Sequence, residues 1–186
     1  MYEIAIIGGG PAGVSAAIFA AKAGKKTVVF DSGKSMTARA WIENHYGVAE
    51  TTGPALLETG RNQATKFGAE IVTDAVVEIT SEGDGFVIKS ENQEFQAKHV
   101  LFATGALTDL AEKAGVTLVP GTEPRIKTII EVDKDGRTNV SGIWAAGTVA
   151  GVSVHTIITA GHGAAVAINI ISELNGERYV DHDLLK

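Results

Sequence analysis

Gly8, Gly10 and Gly13 stand at the spacing Gly-x-Gly-x-x-Gly within "AIIGGGPAGVSAA", directly after the apolar run Tyr2–Ile7 and at the opening of a helix-forming stretch. That pattern suits a phosphate group. Gly8 permits a tight turn, Gly10 lets a pyrophosphate approach bare backbone, and Gly13 lets the helix lie close to the strand. Pro11 and Ala12 occupy the first helical turn, whose free amides and positive dipole end favour an anion without any arginine. Asp31 closes the next apolar run, Thr27–Phe30, where a carboxylate accepts hydrogen bonds from adenosine ribose hydroxyls, and Ser32 follows it. A dinucleotide with a free 2′-hydroxyl is implied. A lone glycine pattern is often only a packing turn; the strand, the helix and Asp31 together raise it above that.

A second stretch without side-chain bulk, "GIWAAGTVAG", lies at residues 142–151. It raises the question of what demands exposed backbone twice in one chain. Other chemistry-bearing residues are scattered. His155 and His162 lie about two turns apart in the last helical segment, where either imidazole is a candidate to influence a bound group, although helix packing explains His162 as well. His155 falls at a helix start, where both ligand contact and simple capping are open. "DHD" at Asp181–Asp183 has metal-binding residue types but reads as a solvated tail, so no metal site is expected. Trp41 is a candidate cover for a ligand, whereas Trp144, inside a strand, reads as core. No Ser-His-Asp or paired-carboxylate arrangement emerges from spacing, and no catalytic residue is assigned.

The chain that carries these residues has 186 positions, a length suited to one domain spanning 1–186. An apolar fraction of 45% and 22 glycines describe an ordinary α/β protein with many tight turns. A net charge of −6 argues against a nucleic-acid partner, which would require a basic stripe. The sequence contains no cysteine, which excludes disulfides, thiolate metal sites and a cysteine nucleophile within it. No basic segment precedes an apolar one at the start, and no uninterrupted apolar run looks long enough to span a bilayer, so a cytoplasmic protein without membrane contact is expected.

Strand, glycine turn, helix Pro11–Gly24 and strand within about thirty residues make a βαβ unit with parallel strands and a right-handed crossover. Gly53–Phe67 reads as a second helix, with Thr52 as N-cap and Gly68 as its stop. Short strands are predicted at Glu70–Val72, Val76–Thr80, Phe86–Lys89 and Glu94–Gln96, arranged as an antiparallel meander. His99–Ala103 returns to the buried parallel type. Asp109–Gly115 is a short helix, Arg125–Val132 is extended, "DKDGRTNV" is a turn, and Gly142–Ala146 is a strand. A long helix from about His155 to Leu174 is stopped by Asn175 and Gly176. No linker or internal repeat is visible.

Segments in this order resemble the FAD domain of the low-molecular-weight thioredoxin reductases. The resemblance is carried by "AIIGGGPAGVSAAIFAAKAG", "IENHYG" at 42–47, "TGPALLE" at 52–58, "KFGAEI" at 66–71, "LFATGA" at 101–106, "GRTNVSGIWAAG" at 136–147 and "TAGHGAA" at 159–165. It implies a Rossmann-like FAD-binding fold in three β/β/α layers, with a parallel central sheet and an antiparallel β-meander. It also implies FAD as cofactor. Asn44 would contact the flavin side, the backbone at Val76 the adenine, and Ala103, Thr104 and Gly105 would form a turn passing close to the cofactor. Gly147 and Thr148 would cross the ribityl–flavin portion, giving the second bare stretch its purpose. A helix starting at His155, Thr156 and Ile157 would aim its N-terminus at the flavin N1–O2 edge.

Three departures stand out. Thr148 replaces a usual acidic residue, His155 replaces a common glutamine, and the glycine–glycine–glutamine stretch after the ribose carboxylate is not recognisable in "SGKSMTARA". A fourth is larger. Relatives insert a second nucleotide domain with a CxxC dithiol after the turn at Gly105, and here about thirty residues reach Gly136. The expectation is therefore an FAD-dependent oxidoreductase with an unidentified acceptor, drawing electrons from a partner protein or from NAD(P)H. The alternatives are a non-catalytic FAD module, the flavin subunit of a split reductase, or a minimal NAD-binding enzyme. A homodimer is expected to cover the surface left by the missing domain.

Overall fold

The computed structural model describes residues 1–181 and 183–185. β1 (Tyr2–Ile7) leads through the glycines into α1 (Pro11–Lys22) and on to β2 (Thr27–Phe30), and β1 and β2 pair in parallel as the crossover requires. A 3₁₀ turn at Met36–Arg39 and a short antiparallel pair, β3 (Trp41–Ile42) with β4 (Thr51–Thr52), connect to α2 (Gly53–Lys66). The Thr52 hydroxyl caps α2 by accepting from the Ala55 amide at 3.3 Å. β5 (Glu70–Val72), β6 (Val76–Glu82), β7 (Gly85–Ser90) and β8 (Glu94–Phe102) follow. After them come α3 (Asp109–Lys113), β9 (Leu118–Pro120), β10 (Thr128–Ile130), β11 (Ile143–Ala145) and α4 (Thr156–Asn175).

β8 organises the sheet. Its first half, Glu94–Ala97, pairs antiparallel with β7, which pairs in turn with β6. Its second half has β1 on one side and β11 on the other, both parallel. The segments predicted separately as 94–96 and 99–103 are thus one strand that leaves the meander and enters the parallel sheet. Glu70–Val72 also differs from expectation: it is the parallel edge strand beside β2 and takes no part in the meander. Three residues are too few to declare their partner from sequence, and the preceding helix α2 is what makes the connection a parallel crossover.

Period-two alternation splits the core across this sheet. Ile4, Ile6, Val29, Leu101, Trp144 and Ala146 face α1, α2 and α4. Ala5, Ile7, Val28, Phe30, Val100, Phe102, Ile143 and Ala145 face the meander, where Ile79, Phe86 and Ile88 meet them. The expected β/β/α layering follows from those two faces. On the helical side α4 is long and apolar enough by length and mean composition to cross a membrane, although His162, Asn169, Ser172 and Glu173 interrupt its apolar run. Its buried stripe, Thr156, Thr159, Gly163, Val166, Ala167, Ile170 and Ile171, has the three-four spacing of a helix packed on a protein surface.

The bridge between Gly105 and Gly136 is compact. α3 packs on β6, and β9 pairs antiparallel with β10, a ribbon of which only the second strand was legible as extended sequence. Arg125, between those strands, has φ of 67°, a backbone conformation that favours glycine. In the tail, the suggested metal residue His182 lies outside the described residues. Asp181 and Asp183 pair with Lys22 at 2.9 and 2.6 Å, and no metal-binding cluster occurs among the described residues.

The α1–α4 crossing is the tightest joint. A Cβ on Gly163 would lie 2.0 Å from the Ala12 carbonyl oxygen, which is backbone and cannot yield. Gly163→Val is expected to lower the unfolding free energy by about 1–3 kcal/mol, read as a fall in denaturant midpoint at unchanged slope.

Candidate functional site: a dinucleotide cleft at the carboxyl edge of the sheet

The parallel strands β1, β2, β8 and β11 end on one side of the sheet, just before Gly8, Asp31, Ala103 and Ala146. Ligands in open α/β sheets bind outside such carboxyl ends, where the order of connections reverses. A cleft of ≈ 1090 Å³ opens there, slightly above the usual range of small-ligand sites. Of the residues singled out in the sequence, Gly8, Gly10, Pro11, Ala12, Asp31, Ser32, Val76, Ala103, Thr104, Gly105, Gly147, Thr148 and Thr156 line it.

The remaining four stand elsewhere. Gly13 is buried under the turn, where a Cβ would meet the Gly8 carbonyl oxygen at 1.9 Å, so its role is helix–strand packing. Asn44 is exposed in the connection between β3 and β4. Its neighbour His45 lies with Nδ1 3.0 Å from the Thr156 hydroxyl at the start of α4. His155 precedes α4 with an exposed ring held 2.8 Å from Ser153 Oγ, and Ile157 points to the surface. Matching a segment identifies its place along the chain; a helical register then decides which of three consecutive residues faces inward.

The glycines separate by cause. Side chains on Gly8 and Gly9 would strike the Ala103 carbonyl oxygen at 2.3 Å and the Asp31 carboxyl carbon at 2.2 Å, so internal packing accounts for both. Gly10 is different: its Cβ would meet only the Ser35 hydroxyl, at 3.2 Å. Gly10 also stands at the N-cap of α1 without a capping side chain, which leaves the start of the helix open to an anion. The residues therefore fit a pyrophosphate on geometry internal to the chain. Gly147, with φ of 80°, is compelled by a closer neighbour, since a Cβ there would lie 2.8 Å from Ala12 Cβ.

Polar groups at the cleft are few. Asp31, 6% exposed, accepts from the Gly33 amide at 2.9 Å and from Arg61 Nε at 3.1 Å. Asp74 accepts from the Ala75 amide at 2.9 Å and from both nitrogens of Asn92, and hydrogen bonding holds its carboxyl below the usual carboxylate range. Thr148, 5% exposed, makes no side-chain hydrogen bond to protein among the described residues, and its position on the cleft wall leaves the hydroxyl for a ligand. Sequence reading missed Lys34, Ser35, Met36 and Thr37, which replace the unrecognised glycine–glycine–glutamine stretch, and Pro124, Arg125 and Ile126 from the bridge. Their sequence adjacency to Asp31 was the available signal for the first group; the bridge carried none.

A dinucleotide-binding fold with its cleft at the strand ends is the class these features define. Within that class, the chain belongs to the pyridine nucleotide-disulphide oxidoreductase family, whose model matches residues 2–108 and 40–165. It is similar to a thioredoxin reductase of Peptoclostridium acidaminophilum, 43% identical over 115 residues, which are 60% of this chain and 36% of that protein. The chain thus matches about a third of the length of such curated relatives. The structure of a thioredoxin reductase from Gloeobacter violaceus superposes with a TM-score of 0.82 at 19% identity, covering 100% of this chain and 99% of that one. A ferredoxin-flavin thioredoxin reductase from Clostridium acetobutylicum superposes at 0.73 with 20% identity, covering 94% and 98%. These likenesses establish the fold of a thioredoxin reductase FAD domain.

His162 holds the turn that ends β11: its Nδ1 accepts from the Gly147 amide at 3.1 Å. Burial lowers its pKa below the ordinary 6.5. Burial also lowers that of His99, whose Nδ1 accepts from the Trp144 indole at 3.1 Å. Both imidazoles are thus neutral in the folded chain at pH values where the unfolded chain already binds a proton. Their stabilisation is complete above pH 6.5 and is lost as pH falls through the lowered values. The melting temperature is expected to hold above about pH 6.5 and to decline as pH falls below it, and His162→Asn, which keeps an acceptor but cannot titrate, is expected to flatten that decline.

Proposed function

We propose that this cleft binds FAD and that the protein is an FAD-dependent oxidoreductase working in the cytoplasm, with residues 1–186 forming one flavin-binding unit. The observation that carries the reading is Gly10: strand ends converge on a helix start with no capping side chain, where a Cβ would meet only the Ser35 side chain and no backbone. Bound flavin would contribute the redox chemistry. The chain would hold it with the first amides of α1 on the pyrophosphate, Asp31 on the ribose, the backbone near Val76 on adenine, and Thr148 and Thr156 toward the ribityl–flavin end.

Residues 106–135 contain neither a cysteine nor a second glycine-rich turn after a strand, so they offer no dithiol and no recognisable nicotinamide site. The electron donor, NAD(P)H or a reduced protein, would approach from outside. That same bridge favours a second reading, in which the chain is the flavin subunit of a split reductase. The ferredoxin-flavin thioredoxin reductase of Clostridium acetobutylicum, which shares this fold, supports a protein donor. Exposed Trp41, Tyr46, Ile157 and Ile158 support a homodimer.

Protein reconstituted with excess FAD is expected to leave gel filtration yellow at one flavin per chain, and a colourless protein would end the reading. Gly10→Val is expected to abolish binding while the apoprotein melts as before. Anaerobic stopped-flow reduction by NADPH is expected to be slow, because positioning of the nicotinamide is worth several kcal/mol; fast saturable reduction would reveal a nicotinamide site in the chain. Thr148→Asp exchanges a neutral hydrogen bond for a charge-assisted one, a gain of about 1 kcal/mol. It is expected to tighten FAD by less than about tenfold and to lower its midpoint potential.

A further inference from the structure

Asp31 is clamped on every side but one. The Gly33 amide donates to Oδ1 at 2.9 Å, Arg61 Nε donates to Oδ2 at 3.1 Å, and Gly9 presses its bare α-carbon against the carboxyl group. Arg61 comes from α2, thirty residues away in sequence. It is delivered there because α2 packs tightly on α1: a Cβ on Gly60 would lie 2.8 Å from Val14 Cγ1. Arg61 does not line the cleft, whereas Asp31 does. The guanidinium therefore reaches the carboxylate from outside and leaves its inner edge facing the ligand.

We infer that Arg61 is a positioning residue that orients Asp31 toward the adenosine ribose, and so sets selectivity for a free 2′-hydroxyl over a 2′-phosphate. This rests on the dinucleotide reading of the cleft. An arginine near a strand-end carboxylate is the group that would otherwise accept a 2′-phosphate. Here Nε is committed to Asp31, so the negative charge faces the ribose. A carboxylate held by a charged donor keeps one rotamer without added entropic cost when the hydroxyls bind, whereas an untethered one must be ordered by the ligand.

The test compares ADP-ribose with 2′-phospho-ADP-ribose, which differ only at the group in question, by calorimetry on the apoprotein. The parent is expected to prefer ADP-ribose. Arg61→Ala is expected to weaken ADP-ribose about tenfold and to change 2′-phospho-ADP-ribose little, because that ligand does not use Asp31. Arg61→Lys is expected to restore most of the preference. A purely structural role for Arg61 would weaken both ligands by the same factor and leave their ratio intact, which would overturn the inference. An unchanged affinity for ADP-ribose in Arg61→Ala would also overturn it, with FAD binding by the parent still standing. A parent that binds neither ADP-ribose nor FAD would overturn the inference together with the cofactor reading.

Discussion

The backbone around Ala12 is the constraint on which this molecule depends. Within a few ångströms of that residue the turn after β1, the turn after β11 and the middle of α4 all meet. A Cβ on Gly13, Gly147 or Gly163 would strike Gly8, Ala12 Cβ or the Ala12 carbonyl. Protein interiors are packed too densely to absorb such insertions without moving backbone. The two bare stretches, distant in sequence, are therefore opposite sides of one joint. Because α1 can sit so low on the sheet, its open N-terminus lies at the floor of the cleft.

Polar groups are arranged around that joint with little redundancy. Asp31 and Asp74 are satisfied by amides and by side chains from other elements, Arg61 and Asn92, while Thr148 has a hydroxyl left for the cleft. A satisfied carboxylate is oriented before a ligand arrives, and an unpartnered hydroxyl in a wall can be taken up by one. His162, accepting from the Gly147 amide, ties the same turn to α4.

The bridge from Gly105 to Gly136 gives the molecule its individual character. Where the resemblance implies a whole domain, a short helix and a two-stranded ribbon close the sheet and place Pro124, Arg125 and Ile126 at the cleft. The meander face stays covered, with Ala111 of α3 and Ile130 of β10 buried against it. The bridge thus leaves a packed surface and not an open core.

The first βαβ unit, the N-cap at Thr52, the Gly176 stop of α4 and the glycine fingerprint were legible in the sequence, because each follows from a local rule of period, capping or turn geometry. The ordered segments also made the family's fold legible. Pairing was not: β5 joined the parallel sheet and β8 bridged two layers, since three-residue runs carry no mark of their partner. Nor was the inward-facing residue in a matched segment: of His155, Thr156 and Ile157, only Thr156 lines the cleft. Arg61 shows the limit most clearly. Its link to Asp31 exists only because α2 docks on α1, and a long-range contact between a helix and a strand end is a product of packing that no local pattern encodes.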